Sequence, residues 1–156
     1  MTKRIAVPEE HLSRYLLVGV GQERYNLYYL ADESTDTKFV TEAIFREMQS
    51  DEQGYYNPLG SHLTHISAAN VVTQSIIAHY CRKFGKTKHE LGEFIGKEFT
   101  VSMKKPITLK DSVRCAIEVI SEIEKIRGRY GDFRYSLNEG SFTGLVTGII
   151  PRPQPV

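Results

Sequence analysis

The stretch Ile66-Ser-Ala-Ala-Asn-Val-Val-Thr-Gln-Ser-Ile-Ile-Ala-His-Tyr-Cys-Arg-Lys-Phe84 is the clearest helix in this sequence. Its apolar and aromatic residues recur at helical spacing, and small or apolar residues also occupy much of the opposite face. A helix that is apolar on nearly all sides is usually buried. Basic residues in its last turn and Gly85 beyond them are typical of a helix C-terminus. The stretch therefore predicts one long helix at the centre of the fold.

A second, shorter helix is predicted near the N-terminus. Proline suits the first turn of a helix, and acidic residues favour the positive end of its dipole. Pro8, Glu9 and Glu10 combine both features. We expect this helix to run from there to Leu16 or Leu17.

Extended segments surround the long helix on both sides. They are rich in aromatic and β-branched residues and are bounded by turn-forming residues. Residues 49–61 interrupt them as an irregular loop, and Asn138-Glu-Gly140 is a hairpin signal because asparagine and glycine tolerate positive φ. The predicted strands are residues 24–30, 38–46, 94–103, 112–124, 129–137 and 142–150.

This order of elements predicts the α+β class. A single long apolar helix needs a surface that wraps it, and a curved antiparallel sheet of five or six strands supplies one. Residues 1–150 are expected to form a single domain that includes the short N-terminal helix. Residues 151–156 contain three prolines and are expected to form a flexible tail.

Composition excludes several functional classes. The 156 residues are 40% hydrophobic and 25% charged, as in a globular domain. Twenty basic residues against 19 acidic ones give a net charge of +1, so no global field attracts nucleic acid. Cys81 and Cys115 are widely separated and are expected to be buried, reduced thiols. No segment approaches the roughly 20 apolar residues of a membrane span, and the first residues lack a signal-like apolar stretch. We therefore expect a cytoplasmic protein.

Several short motifs together carry a family resemblance. The segment Phe99-Thr-Val-Ser-Met-Lys-Lys-Pro-Ile-Thr-Leu-Lys-Asp111 resembles a hot-dog pattern, in which a strand end is followed by proline, an aliphatic residue and an acid. Pro8-Glu-Glu-His-Leu-Ser-Arg14, Thr64-His-Ile-Ser-Ala68 with Tyr80, and Lys105-Pro106 look like one branch of that superfamily. That branch is the FcoT-like long-chain fatty-acyl-CoA thioesterases.

The resemblance implies a hot-dog fold, in which the sheet wraps the central helix, and a homodimer or higher homo-oligomer. It places the thioester carbonyl at the N-terminus of the central helix, where free N–H groups and the dipole stabilise an oxyanion. The acyl chain would lie along the helix. No separate cofactor is implied, because coenzyme A or phosphopantetheine is part of the substrate. The resemblance implies that tyrosines and an asparagine act in this region. Tyr55 or Tyr56 would be the tyrosine that precedes the helix. Ser67 stands at the position of the family's asparagine, and Asn70 follows one turn later.

The densest polar cluster lies where the resemblance places the site. His65 is a candidate general base or acid, and its alternative role is a hydrogen bond to the preceding loop. His62 either joins it or faces solvent. Thr64 is the expected helix N-cap, and Ser67 either binds the carbonyl or is structural. Asn70, if buried, must find a partner in a ligand carbonyl, a water or the neighbouring sheet.

The basic residues and the histidine pair raise two further kinds of site. Lys104 and Lys105, with Lys97 or Arg114, would meet the phosphates of coenzyme A, although solvated surface lysines are the simpler interpretation. His62 and His65 have a spacing that can ligate a metal, but no third ligand accompanies them, so no metal site is expected.

Three functions remain open from the sequence. The leading hypothesis is hydrolysis of an acyl-CoA or acyl-carrier-protein thioester, with the N–H groups around Ser67 to Ala69 holding the carbonyl and His65 or Tyr56 assisting. The second is a 3-hydroxyacyl thioester dehydratase or lyase, which needs a histidine and an acid. Glu42, Asp51 or Glu52 would supply that acid only through folding. The third is an acyl-binding domain without catalysis.

Overall fold

A computed structural model describes residues 3–13, 25–46, 62–126 and 128–151. The helices of this part of the chain are α1 (His65–Phe84) and the single turn α2 (Lys88–Leu91). Short 3-10 turns occupy Glu9–His11 and Ala31–Glu33. The strands are β1 (Arg4–Ala6), β2 (Tyr25–Leu30), β3 (Lys38–Phe45), β4 (Ile95–Phe99), β5 (Ser102–Met103), β6 (Val113–Lys125), β7 (Gly128–Leu137) and β8 (Phe142–Ile150).

All eight strands form one antiparallel sheet in the order β1-β2-β3-β6-β7-β8-β4, and β5 also pairs with β8. The central strands β6, β7 and β8 form a continuous meander. The turn between β7 and β8 holds Asn138, Glu139 and Gly140 at φ 46°, 57° and 93°. The predicted hairpin at these residues is therefore confirmed, and so is the predicted strand 142–150.

The core lies between α1 and the concave face of the sheet. Side chains alternate along each strand, so every second residue faces the helix. Inward positions carry large buried residues such as Phe39, Ile117, Phe133, Tyr135 and Phe142. On α1, buried residues run from Ser67 to Cys81 on nearly every face. The predicted central helix and its burial are confirmed, and both cysteines are free and buried.

The sheet has two strands beyond the six predicted, namely β1 and β5. β1 is too short and too exposed to give a periodic signal. β5 arises because the predicted strand 94–103 is interrupted at Thr100, whose carbonyl accepts the Tyr135 hydroxyl at 2.6 Å. This close approach requires Gly144, since a β-carbon there would collide with the Thr100 carbonyl oxygen.

The predicted N-terminal helix is wrong in the residues that are described. Helical structure is limited to the 3-10 turn Glu9–His11, and Leu12 is extended with φ −109° and ψ 151°. The reason lies in the core, where the Gln74 carboxamide holds both main-chain groups of Ser13. These bonds keep the segment extended across α1 and replace the helical hydrogen bonds. Residues 14–17 and the tail 152–156 lie outside the described residues.

Among the described helices, none combines the length and the apolar character of a membrane-spanning segment.

Candidate functional site

The first turn of α1 is capped by Thr64, as predicted. Its hydroxyl accepts the main-chain N–H of Ser67 at 3.0 Å, and its carbonyl accepts that of Ala68 at 2.9 Å. The expectation that the N–H groups of Ser67 to Ala69 hold a carbonyl is therefore wrong, because the cap and the helix itself use them. Within the described part of the chain, the N–H groups of His65 and Ile66 have no acceptor. These two N–H groups lie at the positive end of the helix dipole.

Asn70 lies one turn further into the helix and is only 9% exposed. Its side-chain oxygen accepts a hydrogen bond from the hydroxyl of Tyr25, the first residue of β2. The partner expected for a buried asparagine is therefore found in the neighbouring sheet. This bond fixes the orientation of the carboxamide. Sequence reasoning missed Tyr25, because strand and helix meet only through folding and its aromatic-rich segment predicted a strand alone.

The two histidines lie at the N-terminus of α1, which we call the helix mouth. His65 is exposed, and its ring meets the Phe142 ring edge-on with 5.9 Å between centroids. His62 is exposed and pairs with Thr108 as an isolated bridge, next to a 2.7 Å hydrogen bond from Leu63 N–H to the Ile107 carbonyl. Residues 62–63 are thus held against residues 107–108, just before the first turn of α1.

The other predicted polar residues divide into two groups. Ser67 is buried, and its hydroxyl lies 2.9 Å from that of Thr64, so it belongs to the cap. A catalytic role for Ser67 stays a prediction. Tyr55, Tyr56 and Asn57 lie outside the described residues, and the role of Tyr56 likewise stays a prediction.

The lysines considered for phosphate binding separate by position. Lys104 and Lys105 are exposed, and the main-chain N–H of each donates to the Ser141 carbonyl. They therefore lie at the end of the sheet where Phe142 meets His65. Lys97 lies 4.8 Å over the Tyr130 ring, and Arg114 forms an ion pair with Glu33. Lys104 and Lys105 are thus beside the candidate site, whereas Lys97 and Arg114 are engaged elsewhere.

A polar seam runs along the side of α1 that faces β2 and β3. We use this name for Asn70, Gln74, Ser75 and His79, all of them buried. Gln74 accepts the N–H of Ser13 at 2.9 Å and donates to its carbonyl at 3.1 Å. Ser75 lies 2.7 Å from the Thr41 hydroxyl. The seam fixes the helix by directional bonds.

His79 ends the polar seam and is 2% exposed. Its ring stacks on Phe39 with 3.8 Å between centroids, and its nitrogens lie 3.3 Å from the Tyr29 hydroxyl and the Asp36 carbonyl. Burial lowers the pKa of His79 to about 4, so the imidazole is neutral at pH 7. Burial also raises the pKa of the Cys115 thiol, behind Thr41 and Ser75, to about 12. Neither group is a reactive centre at neutral pH.

An apolar groove runs along the opposite side of α1, between the helix and strands β8 and β4. It encloses about 50 Å³, and Thr73 contributes its only side-chain hydroxyl. Its lining residues are Thr73, Ile76, Ile77, Phe94, Ile95, Gly96, Phe133, Val146, Gly148, Ile149 and Ile150. Among the residues described, no three His, Cys, Asp or Glu side chains are placed to hold a metal ion.

No protein-family model matches this chain, and no curated protein matches it. Solved structures do resemble it. The dehydratase heterocomplex ApeI:P from Xenorhabdus doucetiae superposes with a TM-score of 0.52 at 12% identity, over 76% of this chain and 78% of that chain. A hypothetical thioesterase with coenzyme A from Streptococcus pneumoniae gives 0.49 at 13% identity, over 83% and 89%. A mutant thioesterase from Pseudomonas aeruginosa gives 0.48 at 14% identity, over 81% and 82%.

The first of these likenesses, with the sheet wrapped around a single long helix, shows the predicted hot-dog fold. At such identities the likeness describes the fold alone.

Proposed function

We propose that this protein hydrolyses a fatty-acyl thioester at the N-terminus of α1, as its resemblance to FcoT-like thioesterases implies. The observation that supports the proposal is the pair of N–H donors at His65 and Ile66, which have no acceptor among the described residues and lie beside the imidazole of His65. The apolar groove begins two turns further along the same helix. Donors for an oxyanion, a proton carrier and an apolar channel are the three parts that acyl-thioester hydrolysis needs.

In this mechanism the thioester oxygen accepts hydrogen bonds from the His65 and Ile66 N–H groups. Water attacks the carbonyl carbon and His65 takes its proton, while Tyr56 assists by hydrogen bonding. The tetrahedral intermediate places its negative charge at the helix N-terminus, where the dipole and the two donors stabilise it. The intermediate then expels the thiolate, which is protonated, and leaves a free fatty acid. A role for Asn70, which Tyr25 orients, in binding the attacking water is part of the proposal.

The thiol carrier is coenzyme A or the phosphopantetheine of an acyl carrier protein. Both present phosphate groups, and Lys104 and Lys105 are exposed cations at the Phe142 end of the sheet. Lysine is a point charge suited to a phosphate in solvent.

A homodimer is part of the proposal. β4 ends the sheet, so its outer edge has no strand partner within the described residues. Exposed apolar side chains lie near this edge and at the helix mouth, where Ile66 is 73% exposed beside the proposed site. Pairing of two such edges would make a continuous sheet and bury these side chains.

The dehydratase alternative needs an acid beside the histidine. Glu42 does not supply it, because Phe39, Thr41 and Ala43 face the helix and Glu42 therefore faces the other side of β3. There it pairs with Arg4 at 2.8 Å. Asp51 and Glu52 lie outside the described residues. The donors at the helix mouth are also compatible with acyl binding without catalysis.

The test is thiol release from a panel of acyl-CoAs, followed with a colorimetric reagent. His65→Ala should lower kcat by about 100-fold or more, which is the usual loss when a general base is removed. His89→Ala is the matched control, because His89 is an exposed histidine on α2. Release of an enoyl product from 3-hydroxyacyl-CoA would establish the dehydratase instead. Saturable binding without turnover would leave a binding domain.

A further inference from the structure

The apolar groove leads away from the proposed site along α1. β8 runs beside the helix in the same direction, since Phe142 meets His65 at one end and Ile150 lines the groove with Ile77 at the other. Four residues of strand from Phe142 to Val146 cover about 13 Å. Eight residues of helix from His65 to Thr73 cover about 12 Å. The two elements thus give the same distance from the helix mouth to the start of the groove.

This distance converts into a number of carbon atoms. The helix rises about 10 Å from Ile66 to Thr73 and about 16 Å from Ile66 to Ile77. An extended acyl chain advances about 1.3 Å per carbon, since C–C bonds of about 1.5 Å are staggered. A chain whose carbonyl is held at Ile66 therefore enters the groove at about its eighth carbon and reaches Ile77 at about its thirteenth.

Three aromatic rings close the far end of the groove. This aromatic plug consists of Tyr80, Phe94 and Phe133, with the Tyr80 ring 6.4 Å from Phe94 and 6.1 Å from Phe133 between centroids. The Tyr80 hydroxyl donates to the Glu122 carboxylate, and Arg129 lies 3.9 Å from the same carboxylate. Beyond the plug the molecule is therefore polar and ionic, which is unfavourable for a methyl terminus.

We propose that the aromatic plug limits the acyl chain to about thirteen carbons and that Phe94 is the residue that sets this limit. The inference rests on the proposed function, because it takes the helix mouth as the position of the carbonyl. It names the substrate class as medium-chain acyl thioesters, shorter than the long chains that the family resemblance implies.

Phe94 is singled out by its position. Phe133 is 2% exposed and packs in the core, so its removal disturbs the whole fold. Phe94 is half-buried in the segment between α2 and β4, where the Lys88 ammonium lies 5.9 Å from its ring centroid. Removal of the Phe94 ring would extend the groove toward Tyr80 and leave the rest of the core intact.

The test compares wild type with Phe94→Ala and Phe99→Ala. Phe99 is a matched control, since it is also half-buried, lies on β4 and stacks on Tyr135 outside the groove. Each protein is titrated by calorimetry with non-hydrolysable thioether analogues of acyl-CoA, from four to sixteen carbons, and assayed for turnover. Wild-type affinity should rise about two- to fourfold per methylene once the chain enters the groove. It should level off at about thirteen carbons.

Phe94→Ala should move this plateau to chains about two to four carbons longer, whereas Phe99→Ala should leave it in place. A plateau that stays at the same length in Phe94→Ala would overturn the role of the plug, even if the wild type hydrolyses acyl-CoA. A plateau that shifts as expected, in a protein that releases no thiol, would support the plug and reject the hydrolase. The two proposals can therefore fail separately.

Discussion

One side of α1 faces β2 and β3 through the polar seam, whereas the other faces β7, β8 and β4 through the apolar groove. Hydrogen bonds are directional, so the seam specifies both the depth and the rotation of the helix. Hydrophobic contacts are non-directional and tolerate an incompletely filled space. The difference shows how a buried helix is held rigidly from one side and left with room for an apolar ligand on the other.

Burying the polar groups of the seam lowers the stability of the fold unless each of them has a hydrogen-bond partner. A buried carboxamide without partners loses its hydrogen bonds to water. In the seam Gln74 makes two bonds with the main chain of Ser13, and Ser75 bonds with Thr41 and with the Val71 carbonyl. The described N-terminal segment is therefore part of the support for the helix.

The largest effect is expected on the apolar side, at Phe133. Phe133→Ala removes a buried ring beneath the groove and leaves a cavity, which should lower the free energy of unfolding by about 4 kcal/mol. Urea denaturation followed by circular dichroism measures it. A loss below about 1 kcal/mol would mean that the groove side collapses to fill the space and is not a rigid wall.

A smaller effect is expected on the polar side, from the protonation of His79. Its folded pKa is about 4 against 6.5 unfolded, so the unfolded state takes up the proton first as pH falls. Stability is fully present above about pH 6.5 and decreases between 6.5 and 4, by about 3 kcal/mol in all. Lys83 opposes the charge, while Asp36 and Glu122 favour it.

The measurement for His79 is denaturant unfolding at a series of pH values in wild type and in His79→Gln, which stays neutral. The wild type should lose more stability than the variant as pH falls to 4. Parallel curves would show that the imidazole is not held neutral in the fold.

The smallest effect separates two residues that share one contact. Gln74→Ala removes both hydrogen bonds to Ser13 and should cost about 2 kcal/mol. Ser13→Ala should change stability by less than about 0.5 kcal/mol, because the bonds use the Ser13 main chain alone. Equal losses in the two variants, measured by thermal unfolding, would contradict the main-chain role of this contact.

Sequence patterns predicted the elements whose signal is local. The long helix could be predicted from its periodicity and Gly85 alone. The β7–β8 turn could be predicted from Asn138 and Gly140 alone. The prediction of an N-terminal helix failed because the structure of this segment depends on Gln74, which lies 61 positions from Ser13. A local helix signal at Pro8 and Glu9 cannot compete with a main-chain contact that forms only in the core.

The features of the candidate site that depend on local sequence could also be predicted, whereas those that depend on the fold could not. The Thr64 cap and the need of Asn70 for a partner followed from residue type and position. The oxyanion donors were predicted two to three residues too late along the helix, because the capping hydroxyl uses the N–H of Ser67, whereas those of His65 and Ile66 have no acceptor among the described residues. Tyr25 and the groove required the sheet order, which no local pattern contains.

The strand order also determines when each side of α1 is covered during translation. When the ribosome has made Phe84, the strands that cover the polar seam, β2 and β3, already exist. The wall of the groove is complete only when β8 has been made, because β4 takes its place beside β8 at the edge of the sheet. At ordinary translation rates this takes roughly 3 to 13 seconds more. During that interval the nascent chain exposes its apolar helix face, and a chaperone that binds apolar segments would meet the side of α1 that later lines the groove.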